Sequence, residues 1–131
     1  VVITNPDLKK DFRYSIKQNG GMLAKGRLLG IQFLTLFEDG PYFELSRHAV
    51  ALAMRIRDAF AAKGYDFLVD SPTNQQFPIL PDEELKRLAD DFQFSVWKKI
   101  DDRHTAVRFC TSWATVAENV DKLIEDIKKL K

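Results

Sequence analysis

The sequence predicts an α+β fold: a small antiparallel sheet of three to four strands, with helices packed on one face and two further helices ahead of it. Three observations lead there. Helical periodicity dominates the chain up to residue 63. Short apolar runs follow, joined in pairs by short turns. A strongly amphipathic segment then closes the chain.

Taken in order, Val1-Val2-Ile3 reads as the tail of a strand. Asn5 suits an N-cap and Pro6 a first helical position, and Leu8, Phe12 and Ile16 continue at helical spacing until Gly20-Gly21. The spacing predicts a second, far more apolar helix from Met22 to Phe37, with Gly26 and Gly30 one turn apart as a flat patch for close packing. Glu38-Asp39-Gly40-Pro41 is a turn. A long helix runs from Tyr42 to Lys63, with Leu45, Ala49, Leu52, Ala53, Ile56 and Phe60 inward and Gly64 as its stop. Phe67-Leu68-Val69 and Gln76-Phe77-Pro78-Ile79-Leu80 are strand candidates across a Ser71-Pro72-Thr73-Asn74 turn, and Pro78 marks an edge or a bulge. A short helix spans Pro81 to Asp91. Phe92, Phe94 and Val96 alternate as a half-buried strand, Asp101-Asp102-Arg103-His104 turns the chain, and Thr105 to Trp113 returns as a buried strand. Thr115 and Glu118 have capping-box spacing, and Val120, Leu123, Ile124 and Ile127 form the buried face of the last helix.

Composition narrows the function. The chain has 131 residues, 45% of them hydrophobic and ten of them Phe, enough for one core. Twenty basic and 19 acidic residues leave a net charge of +1, which argues against a nucleic-acid or membrane-surface binder. No apolar run reaches membrane-span length, and the start lacks a signal-peptide pattern. The single Cys110 excludes an internal disulfide and a multi-cysteine zinc site, so a cytoplasmic setting is the expectation. The start at Val1, in what reads as a strand tail, is expected to fall inside a larger protein.

The most informative residue is Arg108, in the middle of the strand Thr105–Trp113. Its guanidinium is always charged and matches carboxylate or phosphate in shape. Held in a sheet without a partner it would be costly, and its own face of the strand offers no carboxylate. A ligand anion or bulk solvent are the two ways to meet that charge. Ser112 has no placed His or Asp to activate it, and His48, His104 and Cys110 lack metal-ligand spacing. Cys110 reads as a small core residue on the Arg108 side, and Trp97 and Trp113 as core or interface packing. Thr73-Asn74 reads as an Asx-type turn.

Three blocks then carry a resemblance: Ile16 to Phe33 (IKQNGGMLAKGRLLGIQF), Ser71 to Leu80 (SPTNQQFPIL) and Val107 to Thr115 (VRFCTSWAT). In that order they resemble the C-terminal part of the threonine aldolase and β-eliminating lyase family, pyridoxal-phosphate enzymes of the aspartate-aminotransferase fold. The resemblance implies that residues 1–40 are the end of a large cofactor domain with bridging helices, and that 41–131 are the small C-terminal domain. It implies that Arg108 binds the substrate α-carboxylate. It places Lys17, beside Gly20-Gly21, near the cofactor phosphate, with Lys25 and Arg27 as weaker candidates that serve a neighbouring subunit. The Schiff-base lysine, the ring that stacks on the cofactor and the aspartate for its ring nitrogen precede this region in the family. No catalytic residue is therefore expected in this chain, which should be inactive alone.

Two functions are expected to compete. One is a fragment of a lyase that cleaves β-hydroxy amino acids to glycine and an aldehyde, with β-elimination as a related outcome. Its partners are an amino-acid substrate, the N-terminal cofactor domain and further copies in a homo-oligomer. The other is a stand-alone amino-acid-binding or oligomerisation module without catalysis.

Overall fold

The computed structural model describes residues 3–130. They form two compact units, Val1–Pro41 and Tyr42–Lys131. The strand tail expected at Val1-Val2 lies outside the described residues, and Ile3 is in no strand.

In the first unit the opening helix is broken. Asn5 accepts a hydrogen bond from the Asp7 amide and starts a 3-10 turn, Pro6–Leu8. Asp11 then adopts a left-handed conformation (φ 54°) before α1, Phe12–Gln18. Three lone apolar residues at helical spacing do not enforce one continuous helix when little burial rewards it. Gly20, at φ +70°, ends α1 as expected: its amide reaches the Lys17 carbonyl and the Gly21 amide reaches Ile16 at 2.8 Å. Helix α2 spans Arg27–Phe37 and so begins five residues later than the periodicity predicts, since Met22 to Gly26 form a bend and a turn. The expected close approach at the glycines is not seen. A methyl group at Gly30 would meet nothing within 4 Å, and one at Gly26 only the Leu23 carbonyl.

In the second unit, α3 (Pro41–Ala62) buries Ala49, Leu52, Ala53, Ile56 and Phe60; Leu45, expected inward, is exposed. Gly64 (φ +76°) stops it with the same bond pattern as Gly20: its amide goes to Ala61 and that of Tyr65 to Phe60. Phe67 makes only an isolated bridge to Pro78, so no strand forms at Phe67–Val69. The next expected strand is divided at Pro78, which lacks an amide hydrogen, into β1 (Gln75–Gln76) and β2 (Ile79–Pro81). Helix α4 is Asp82–Ala89.

Strand β3 (Ser95–Lys99) starts later than the alternation of Phe92, Phe94 and Val96 predicts, and all five of its residues are exposed. Phe92 and Phe94 instead lean on the core from the segment before it. Strand β4 (His104–Cys110) is central, pairing antiparallel with β1 and β2 and with β3. Helix α5 is Ala117–Lys128. The expected capping box at Thr115 and Glu118 is absent: Val116 is the N-cap, and the Thr115 hydroxyl turns back to accept from the Ser112 amide at 2.8 Å.

The core lies where helices meet β4. Val107 and Phe109 face Leu52, Ile56 and Phe60 of α3, Leu85 and Leu88 of α4, and Val120, Leu123 and Ile127 of α5. Each such buried side chain contributes roughly 1.5–3 kcal/mol relative to exposure. Tyr65 is buried beside them and donates to Glu84 at 2.5 Å; burial and the carboxylate push its phenol well above the usual range. The Thr111 hydroxyl, donating to the Ala49 carbonyl at 2.7 Å, ties the segment after β4 to α3.

Candidate functional site

Alternation along β4 decides which side chains meet the core. Thr105, Val107, Phe109 and Thr111 are buried on the helix side, which leaves Ala106, Arg108 and Cys110 on the other face, where Ala106 is covered and only Arg108 and Cys110 reach solvent. There Arg108 is half-buried. Its Nη1 donates to Gln75 Oε1 and its Nη2 to Ser95 Oγ, each at 3.3 Å. Its guanidinium carbon stands 5.4 Å from the centroid of the Trp97 ring. The Nε is buried and has no hydrogen-bond partner.

Register explains this neighbourhood. Lys99 opposes Thr105 and Lys98 opposes Ala106; continued without interruption, that pairing would set Val96 opposite Arg108. A bulge between Val96 and Lys98 shifts β3 by one residue, so Ser95 stands there and Trp97 is the extra residue. Trp97 in turn packs against Phe77 at 5.1 Å and 63°. On the far side of β4, Gln75 opposes Cys110 and brings its amide to Arg108.

All of these contacts are neutral. Among the described residues no carboxylate pairs with Arg108, so its charge is left for something else. The two bonds are long for N–H···O and so are weak restraints on the fork. A half-exposed guanidinium with weak neutral acceptors and an aromatic support can receive a planar anion or water at its outer N–H groups.

Lys17 and Lys25, the other predicted site residues, belong to the first unit. Lys17 lies in the last turn of α1 and Lys25 in the turn before α2; both are exposed, and neither ammonium group has a hydrogen-bond or ion-pair partner among the described residues. No described lysine is fully buried, and Lys63, half-buried, donates to the Lys128 carbonyl at 3.1 Å. The donor set present therefore does not fit the covalent anchor of pyridoxal phosphate.

Cys110, expected in the core, is exposed, because it shares the Arg108 face at the end of β4. Trp97 and Trp113 are 53% and 69% exposed, so neither is a core residue. Asn74 acts as a fastener: its side chain donates to the Thr111 carbonyl at 2.6 Å, and its own carbonyl accepts from the Thr111 amide. His48 meets the Thr115 carbonyl at 2.9 Å. No group of three His, Cys, Asp or Glu able to hold a metal ion occurs among the described residues. No described helix is long and apolar enough to cross a membrane.

Away from Arg108, an open concavity of about 860 Å³ is bounded by Pro81, Asp82, Arg87, Arg103 and His104. Two carboxylates at or beside its edge are held by partners. Asp82 accepts from the Thr105 hydroxyl at 2.6 Å and pairs with Lys99; these bonds, that from Lys99 first, hold its carboxyl below the usual 3.8. Asp101 accepts from the amides of Arg103 and His104, each at 2.8 Å, and meets the His104 ring, which lowers its pKa too, chiefly through the Arg103 amide.

Gln75, Ser95 and Trp97 were not legible as site residues, because their approach to Arg108 depends on the bulge and the strand pairing. The signal in reach was the turn at Asp101–Arg103, from which cross-strand partners can be counted, but such counting meets Val96.

Comparison with solved structures gives a match to the C-terminal part of a threonine aldolase from Leishmania major. It has 37% sequence identity and a TM-score of 0.84 over 97% of this chain. The chain spans 37% of the length of that protein. No protein-family model and no curated protein matches the chain.

Proposed function

Because this chain is similar to the C-terminal part of a threonine aldolase, we propose that it is the substrate-clamping part of a lyase that splits β-hydroxy amino acids into glycine and an aldehyde. The observation that carries this reading is Arg108: a guanidinium on the open face of the central strand, engaged only by neutral acceptors. An α-carboxylate is planar and anionic, and it accepts two parallel N–H bonds from such a fork. Gripping it fixes the rotation of the amino acid about Cα, and with it which bond is presented for cleavage. The pyridoxal phosphate that the resemblance implies would be bound covalently by a lysine outside this chain, and the residues described here supply no step of its chemistry. Lys17 and Lys25 remain candidates for contact with its phosphate, from the first unit.

The test joins this chain to the preceding region of a threonine aldolase and follows aldehyde release from β-hydroxy amino acids. Arg108→Ala is expected to raise KM about ten- to a hundred-fold, the loss of a charge-assisted hydrogen-bonded contact. Arg108→Lys should recover only part of this, since an ammonium is a point charge rather than a fork. Equal KM in Arg108→Ala and the parent rejects the clamp. Turnover, or a visible Schiff-base absorbance, from the chain alone would overturn the assignment of the cofactor to other residues.

A second reading is favoured by one observation. Helix α2 is apolar on almost every side and buries none of its residues, which suits an oligomerisation module without catalysis. Failure of every such assembly to release aldehyde, together with stable oligomers of the chain alone, would favour it.

A further inference from the structure

We propose that Trp97 is the positioning residue of Arg108. The proposal rests on the clamp reading above, but its geometry is independent of it. Trp97 is the residue that the β3 bulge inserts, and its ring lies 5.4 Å from the guanidinium carbon. That is within the range at which an arginine is drawn to an indole face. The ring itself is braced by the edge of Phe77, which stands between β1 and β2. Phe77, Trp97 and Arg108 thus form a continuous stack over the open face of the sheet.

The stack matters because the other restraints on Arg108 are weak. Both of its hydrogen bonds are 3.3 Å long, and an arginine side chain loses much rotamer freedom when it is held in one pose. An unsupported guanidinium would spread over many rotamers in the half-open site and pay that entropy when the anion arrives. The indole removes part of the cost in advance and adds no negative charge to compete with a carboxylate. An Asp or Glu at the same place would hold the arginine more tightly and neutralise it. Trp97 is 53% exposed, so fold stability alone does not call for an indole there.

The bulge is what makes this arrangement available. It sets the Ser95 hydroxyl, in place of the apolar Val96, opposite Arg108, and lets Trp97 follow onto the guanidinium. One inserted residue therefore supplies both a polar and an aromatic neighbour for the same side chain.

The experiment compares the parent chain with Trp97→Ala and Trp97→Phe. In the full 131-residue chain, ¹⁵N relaxation of the Arg108 Nε–H reports the order of the guanidinium, and the Val107 and Phe109 amides report the fold. Trp97→Ala should leave those amides unchanged while the Arg108 Nε–H becomes mobile; Trp97→Phe should keep most of the order. In the assembled lyase, Trp97→Ala should raise KM about two- to five-fold with kcat nearly constant, the worth of an exposed cation–π contact, and Trp97→Phe should restore it. An Arg108 Nε–H equally ordered in Trp97→Ala overturns the positioning role. So does an unchanged KM in Trp97→Ala where Arg108→Ala raises it, an outcome that leaves the clamp standing. An unchanged KM in both variants removes the clamp, and the catalytic purpose of the stack with it.

Discussion

An amide oxygen and a hydroxyl are the hydrogen-bond partners of Arg108, so its charge is oriented without being cancelled. Asp82 is the opposite case. It takes a bond from Lys99 and another from Thr105, and both favour its ionised form, so its folded pKa lies below the usual 3.8. The linkage has a definite sign. A carboxyl with a depressed folded pKa contributes stability above its unfolded value, and that contribution disappears as pH falls through the folded one. Asp82→Asn is therefore expected to lower the melting temperature near neutrality, with the gap to the parent closing as the solution is acidified below about pH 4. Thermal scans across that range check this, and a gap that stays constant with pH would exclude the linkage.

The ends of α1 and α3 are set by two glycines with left-handed backbone, Gly20 and Gly64, each followed by an amide that reaches back five residues. A side chain at Gly64 would meet nothing within 4 Å, so replacing it tests the backbone alone. Gly64→Ala should destabilise the second unit by about 1–2 kcal/mol, the cost of a left-handed conformation for an L-residue with a Cβ. Urea unfolding measures this, and an unaltered midpoint would mean that α3 ends some other way. The strands obey a different logic. Strand β4 is buried on the helix side by its own alternation, whereas β3 is exposed throughout, and its Lys98 and Lys99 discourage pairing with a further strand.

Across the molecule, the two units differ in what they bury. The second has a continuous core around Phe60, Leu80, Val107 and Ile127, each almost completely enclosed. In the first, Leu28, Leu29, Ile31, Phe33, Leu34 and Phe37 of α2 are all exposed, and Phe33 stacks on Phe37 at 6.1 Å. Apolar surface of this extent drives association in water. The chain alone is expected to self-associate with rising concentration, and Phe33→Ser with Leu28→Ser to shift it toward the monomer. Sedimentation over a range of concentrations decides this; a strictly monomeric parent would contradict it.

The sequence by itself determined the α+β class, the helices of the second unit and the strand that carries Arg108, the glycine stops, the inner face of α3 from Ala49 to Phe60, and Arg108 as the residue to watch. These follow from near-neighbour chemistry: a period of 3.6 or of 2, and glycine's tolerance of positive φ. The resemblance carried by the Ile16, Ser71 and Val107 blocks was legible there too, and the structural match agrees with it. Tertiary structure decided the rest. It placed Ser95 and Trp97 beside Arg108, left Cys110 exposed, split a strand at Pro78 and withheld the capping box from Thr115. Strand register is the physical reason at the site. One bulged residue changes which side chain stands opposite which, and that choice belongs to the pairing of two strands rather than to either run of residues alone.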